Sequence, residues 1–170
     1  EKYLDTDFDF EKKTWQVYIP YGNNMVDLSD FYSTLKKIKI FASTVVVSPK
    51  DIKVRAGIWS YMALGMYVNG NLKGEIDAPV YKPVKYSEVE FDLNAGENLI
   101  YFICENLGVR DSRNIFGIQF LDNYAIENLS VTVADKEIRD EVFYAKSFLD
   151  SLKIKNDKLY FKAFSNIKAF

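Results

Sequence analysis

Residues 93–106, LNAGENLIYFICEN, place the tightest constraint on what this chain can fold into. Asn94, Ala95, Gly96 and Glu97 read as a turn, because glycine takes positive φ without a steric cost and asparagine tolerates it. Residues 99–104 are then apolar on both alternating faces, with Leu99, Tyr101 and Ile103 on one and Ile100, Phe102 and Cys104 on the other. A strand without a wet face belongs in the interior of a sheet that is covered on both sides. In a two-layer sandwich only one face of a strand meets the core. One of the two rows is therefore expected to pack outside the core, against the chain's own tail or a neighbouring domain.

The flanking sequence continues the same period. A first strand is expected over residues 14–19, with Trp15, Val17 and Ile19 on one side, closed by the turn residues Pro20, Tyr21, Gly22, Asn23 and Asn24. Residues 25–34 read as a loop or short helical turn. A long strand follows over 37–47, then a cleanly half-buried one in which Ile52, Val54, Ala56 and Ile58 oppose Lys53 and Arg55. Residues 61–68 form another, ending in Asn69-Gly70, the strongest short hairpin signal. Residues 75–87, with Pro79 and Pro83, read as a crossing loop. Val89, Phe91 and Leu93 then alternate with Glu88, Glu90 and Asp92. After the central strand come a polar loop, 105–114, and strands over 115–121 and 129–133.

This spacing predicts an all-β fold, a jelly-roll β-sandwich of about eight strands over residues 1–134. Residues 135–170 change character and form a tail or the start of a following module. Asp135 is placed to cap a helix carrying Ile138, Val142, Ala145, Leu149 and Leu152 at helical spacing, and residues 152–161 read as a hairpin or linker.

Composition excludes more than it assigns. A net charge of −2, with acids and bases interspersed, gives no electrostatic case for nucleic acid. No apolar run is long enough for a membrane span. The chain has no histidine, which removes the commonest general base and metal ligand. Cys104 lies inside an apolar strand and reads as a small buried hydrophobe. Glu88 and Glu90 fall at strand spacing on one solvated face, serines lack a histidine partner, and no phosphate-binding glycine loop is present, so no catalytic residue is expected. The chain begins at Glu1 with neither an initiator Met nor a signal peptide, as expected of a processed or excised piece, and its compartment stays open. Aromatic residues make up 16% of the chain; core and sheet packing account for most of them, and sugar-binding surfaces also use such rings.

The order of signals resembles the sugar-binding-like, galactose-binding-like jelly roll found at the N-terminus of many glycoside hydrolases, such as beta-galactosidase and beta-glucuronidase relatives. The residues that carry the resemblance are Val68-Asn69-Gly70-Asn71-Leu72-Lys73-Gly74, the crossing Tyr81-Lys82-Pro83, the acidic strand from Glu88 to Leu93, and the turn and strand from Leu93 to Asn106. Trp15 to Pro20 sits where such domains carry an aromatic-rich first strand. The resemblance implies a non-catalytic accessory domain of a multidomain carbohydrate-active protein, whose catalytic carboxylates lie on another domain. It leaves open an autonomous carbohydrate-binding module and a structural or adhesion sandwich with a protein partner. Neighbouring domains and glycan are the partners it implies, with no cofactor. Related domains often hold a structural calcium; Asp92, Asp111 and Asp122 offer oxygen donors here, although no loop has a recognisable ligand spacing.

The candidate glycan-contacting residues are Arg110, Asp111, Arg113 and Asn114 in the polar loop, with Trp59 or Tyr61 as a stacking face. Planar guanidinium forks and carboxylate or carboxamide groups supply the directional donors and acceptors that sugar hydroxyls need. The same side chains also suit a bracing role, in which Arg110 and Arg113 pair with Asp111 or Glu105 or dock a neighbouring domain.

Overall fold

The structure, a computed structural model, describes residues 16–20, 25–31, 37–77, 84–107 and 113–144. Nine strands and a short helix occur among them, in the order β1 (Val26–Asp27), β2 (Lys37–Ser48), β3 (Ile52–Ser60), β4 (Ala63–Val68), β5 (Asn71–Ile76), β6 (Lys85–Leu93), β7 (Gly96–Leu107), β8 (Ile115–Phe120), α1 (Asn123–Asn128) and β9 (Ser130–Thr132), followed by a second helical stretch at 139–144. They form two antiparallel sheets, ordered β1-β8-β3-β6 and β5-β4-β7-β2-β9. Of the connections between successive strands, only β4–β5 stays within one sheet as a hairpin. The others cross from sheet to sheet, which makes the sandwich a jelly roll, as the sequence predicts.

The alternation read from sequence sets the layers. Val54, Ala56, Ile58, Val89, Phe91, Leu93 and Phe116 face inward from the four-stranded sheet; Leu64, Met66, Val68, Ile100, Phe102 and Cys104 meet them from the five-stranded one. Phe102 and Phe116 touch across the layers with ring centroids 5.5 Å apart. The Asn69-Gly70 hairpin forms with φ of 49° and 84°, the left-handed pair that a two-residue turn requires.

β7 is central, paired with β2 on one side and β4 on the other. Its Ile100, Phe102 and Cys104 row joins the core, and the Leu99, Tyr101 and Ile103 row faces out. That outer row is graded. Leu99 is exposed, Tyr101 stacks on Tyr67 at 4.6 Å, and Ile103 is buried beside its register partners Phe41 and Gly65 without joining the main core. At the Glu97 end of the row the chain after β9 returns: Arg139 grips Glu97 with a two-pronged pair at 2.6 and 3.2 Å and donates to the Val133 carbonyl. Residues 139–144 are helical, so the helix starts later than the cap expected at Asp135; that carboxylate instead accepts from the Glu137 N–H in the turn before it. The rest of the expected helix and the 152–161 hairpin lie outside the described residues.

Four boundaries differ from expectation. Residues 16–20 carry no strand, and the loop expected at 25–34 contains β1. β6 starts at Lys85, because Lys85–Leu93 pairs residue for residue with β3. Glu105, Asn106 and Leu107 belong to β7, held by the whole length of β2, so the polar loop is shorter than it reads. The helix α1 was not expected; six residues, with Ala125 its one buried position, leave too short a pattern to detect. No helix among the described residues is long and apolar enough to cross a membrane.

Burial pushes the Cys104 thiol well above its usual pKa range, which leaves almost no thiolate at neutral pH. An alkylating reagent is expected to modify Cys104 only after denaturation; rapid labelling of the native protein would show that β7 opens locally. Two carboxylates hold loops to the sandwich. The Arg55 main-chain N–H, at 2.7 Å, and then its guanidinium keep Asp122 below the ordinary carboxylate range, and Arg139 does the same for Glu97. A depressed folded pKa contributes stability above the unfolded value and loses it as pH falls through the folded one. Urea midpoints should thus be level near neutrality and fall below about pH 4, less steeply in Asp122→Asn. An equally steep fall in that variant would remove Asp122 from the account.

Candidate functional site

The outer face of the four-stranded sheet is built on one row of register partners. Trp59 of β3 pairs with Tyr86 of β6 on one side and with Gly117 of β8 on the other. Outward residues of a strand recur every second position, which puts Arg55, Gly57 and Trp59 in one line and Tyr86, Glu88, Glu90 and Asp92 in the next. Tyr86 leans diagonally over Gly57: a Cβ at Gly57 would lie 2.6 Å from Tyr86 Cε2 and 3.1 Å from Trp59 Cη2. The bare backbone of Gly57 is thus the floor on which both rings rest. The ring centroids are 5.0 Å apart and tilted by 41°. The Tyr86 hydroxyl donates to Glu88 at 2.9 Å, and the residue as a whole is 46% exposed. Removal from water, and then the bond to Glu88, raises the phenol pKa, so Tyr86 stays a protonated donor to that carboxylate.

On the other side of Trp59 the surface drops. Gly117 has no side chain, and the Met25 side chain comes within 3.4 Å of where its Cβ would be. β1 covers only Ile115 and Phe116 of the β8 edge. Past that point a groove of about 540 Å³ wraps the free edge of β8, from Trp59, Met25 and Gln119 on the outer face to the core-side Ile118 and Phe120, with residues of α1 and β9 opposite. That volume is within the range of pockets that hold small ligands.

The sequence-predicted residues separate into three groups. Tyr61 and Arg113 come together: the Tyr61 N–H bonds the Ile115 carbonyl just past β3, and the Arg113 guanidinium lies 4.3 Å from the Tyr61 ring centroid, while Trp59, two positions earlier, pairs with Tyr86. Asn114 is fully buried and acts as a bracket. Its side-chain oxygen accepts from Asn106, its N–H donates to Ser29, and its carbonyl accepts from Leu28, so it presents nothing to a ligand. Arg110 and Asp111 lie outside the described residues. Glu105 pairs with Lys39 at 2.9 Å. Among the described residues no group of three or more His, Cys, Asp or Glu could hold a metal, and Asp122 is committed to Arg55.

Sequence reasoning missed Tyr86, Gly57, Gly117 and Gln119. Tyr86 has the same parity as Glu88, Glu90 and Asp92, which would have placed it outward had β6 been extended back. The glycines carry no signal without the pairing.

No family model and no curated protein matches the chain. Among solved structures it is similar to a family 35 carbohydrate binding module from an environmental isolate, at 19% identity and a TM-score of 0.40, covering 57% of this chain and 72% of that one. It is also similar to a beta-glucosidase from Kluyveromyces marxianus in complex with glucose, at 13% identity and a TM-score of 0.45, covering 61% of this chain and 14% of that one. By its own sheet order and connections, the chain is an all-β jelly-roll sandwich with an aromatic surface on its four-stranded sheet.

Proposed function

We propose that this chain is a non-catalytic β-sandwich domain of a multidomain carbohydrate-active protein, and that it meets glycan on the outer face of its four-stranded sheet around Trp59. The observation that supports this reading is the Trp59–Tyr86 pair, two rings held on an outer sheet face beside an open groove. Aromatic faces take the C–H face of a sugar ring, and nearby polar groups fix its orientation. Arg113, over Tyr61, and Gln119 flank the pair.

A glycan array on the chain tests this. Binding to a defined glycan set is expected, weakened about tenfold or more in Trp59→Ala, the equivalent of about 1.4 kcal/mol. A smaller loss is expected in Arg113→Ala. Silence across plant, host and microbial glycans would sink the proposal. The accessory role has its own measurement in the parent protein, where Trp59→Ala should slow turnover of polymeric substrate and leave that of a small chromogenic glycoside unchanged.

A further inference from the structure

We infer that the surface takes a neutral oligosaccharide of at least two rings, lying across the strands from Tyr86 over Trp59 toward the groove beside Gly117. This rests on the reading of the Trp59 face as glycan-binding and adds the class and direction of the ligand. The direction follows from register. Tyr86, Trp59 and Gly117 are partners in one row perpendicular to the strands, and adjacent strands lie about 4.8 Å apart. The row offers one place for a ring on the Tyr86–Trp59 pair; at Gly117 the Met25 side chain covers the strand, so the second place is the groove that Trp59 and Met25 border, where Gln119 is the exposed polar side chain. It is open at the Tyr86 end, where that residue is nearly half exposed, so a chain can run on past it.

The platform is built rather than incidental. Tyr86 can lie down only because residue 57 has no side chain, and its hydroxyl is tied to Glu88. A ring held in place before binding loses little entropy when a sugar stacks on it. Charge decides the class. The outward row of β6 beyond Tyr86 is acidic, with Glu88, Glu90 and Asp92. The two cations on the strands beside this row are paired, Lys53 with Glu90 at 2.5 Å and Arg55 with Asp122 at 3.3 Å. An anionic sugar on the pair would lie beside the Glu88 carboxylate that Tyr86 bonds, whereas a neutral one meets rings and an acceptor.

Titration calorimetry with neutral mono-, di- and tetrasaccharides from cellulose, mannan and xylan, and with an oligogalacturonate of matched length, tests the inference. Affinity for at least one neutral series should rise about tenfold or more from mono- to tetrasaccharide, with no oligogalacturonate binding. Tyr86→Ala should remove most of that gain. Gly57→Ser, which keeps the ring but lifts it from the sheet, should also weaken binding, and circular dichroism and the urea midpoint confirm that each variant is folded. Preference for the oligogalacturonate, equal affinity for mono- and tetrasaccharide, or undiminished binding in folded Tyr86→Ala overturns the inference and leaves the glycan-binding reading standing. If no saccharide binds, both fall.

Discussion

Asn98→Ala should lower the stability of the domain by about 3 kcal/mol and its melting temperature by about 10 °C. Asn98 is fully buried at the start of β7, on the same inward parity as Ile100 and Phe102. Its carboxamide oxygen accepts from the Asn69 side chain at 2.8 Å and from the Asn94 N–H at 2.9 Å. Its nitrogen donates to the carbonyls of Asn94 at 2.7 Å and Gly96 at 3.1 Å. Asn69 in turn accepts from the Leu99 N–H with its own side-chain oxygen. One buried side chain thus ties the β4–β5 hairpin to the turn that feeds β7. Truncation removes these bonds and leaves a cavity at a fully buried position, and each intramolecular bond is worth about 1 kcal/mol net. Asn98→Asp should do at least as much damage at neutral pH, because a carboxylate cannot donate to the two carbonyls and brings a buried charge. Urea denaturation decides the matter: a loss below about 1 kcal/mol in Asn98→Ala would mean that the two turns hold themselves.

The second large effect is expected at Gly74. On an exposed strand, Gly→Ala is usually neutral or favourable, because alanine has less unfolded-state entropy to lose. At Gly74 the sign reverses. It lies on β5 against side chains of the facing sheet, and a Cβ there would run into Val89 Cγ1 and stand 3.2 Å from Ile58 Cδ1. Val89 is β-branched and buried, so it cannot swing aside cheaply. Gly74→Ala should cost about 2 kcal/mol through overpacking. The double variant Gly74→Ala/Val89→Ala should then be more stable than the sum of the two single changes implies, since each relieves the other. Strict additivity would show that β5, an edge strand, simply moves outward and that the contact is soft.

Much of the fold was legible because strand alternation is local. Ile52, Val54, Ala56 and Ile58 announce their inward face by period alone, as do Val89, Phe91 and Leu93, and the structure buries all but the partly exposed Ile52. Asn98 could have been found by the same rule, as a polar residue on the inward parity of an apolar strand. The candidate site was legible in part. Trp59, Tyr61 and Arg113 were read from type and position; Arg113 does meet Tyr61, and Trp59 points outward from β3 beside Tyr86. Asn114 was read from type alone, and type does not report depth.

The central strand shows where the division falls. The sequence by itself determined that residues 99–104 are apolar on both sides, that turns bracket them, and that the chain is a sandwich of short strands. Only the tertiary structure decided that the Ile100 row is the inner one, that Ile103 is buried outside the core while Leu99 is not, and that Tyr86 and Gly117 flank Trp59. The reason is one of range. Which way a side chain points follows from its neighbours two positions away, whereas which strand lies beside it follows from packing two sheets whose connections cross at nearly every step.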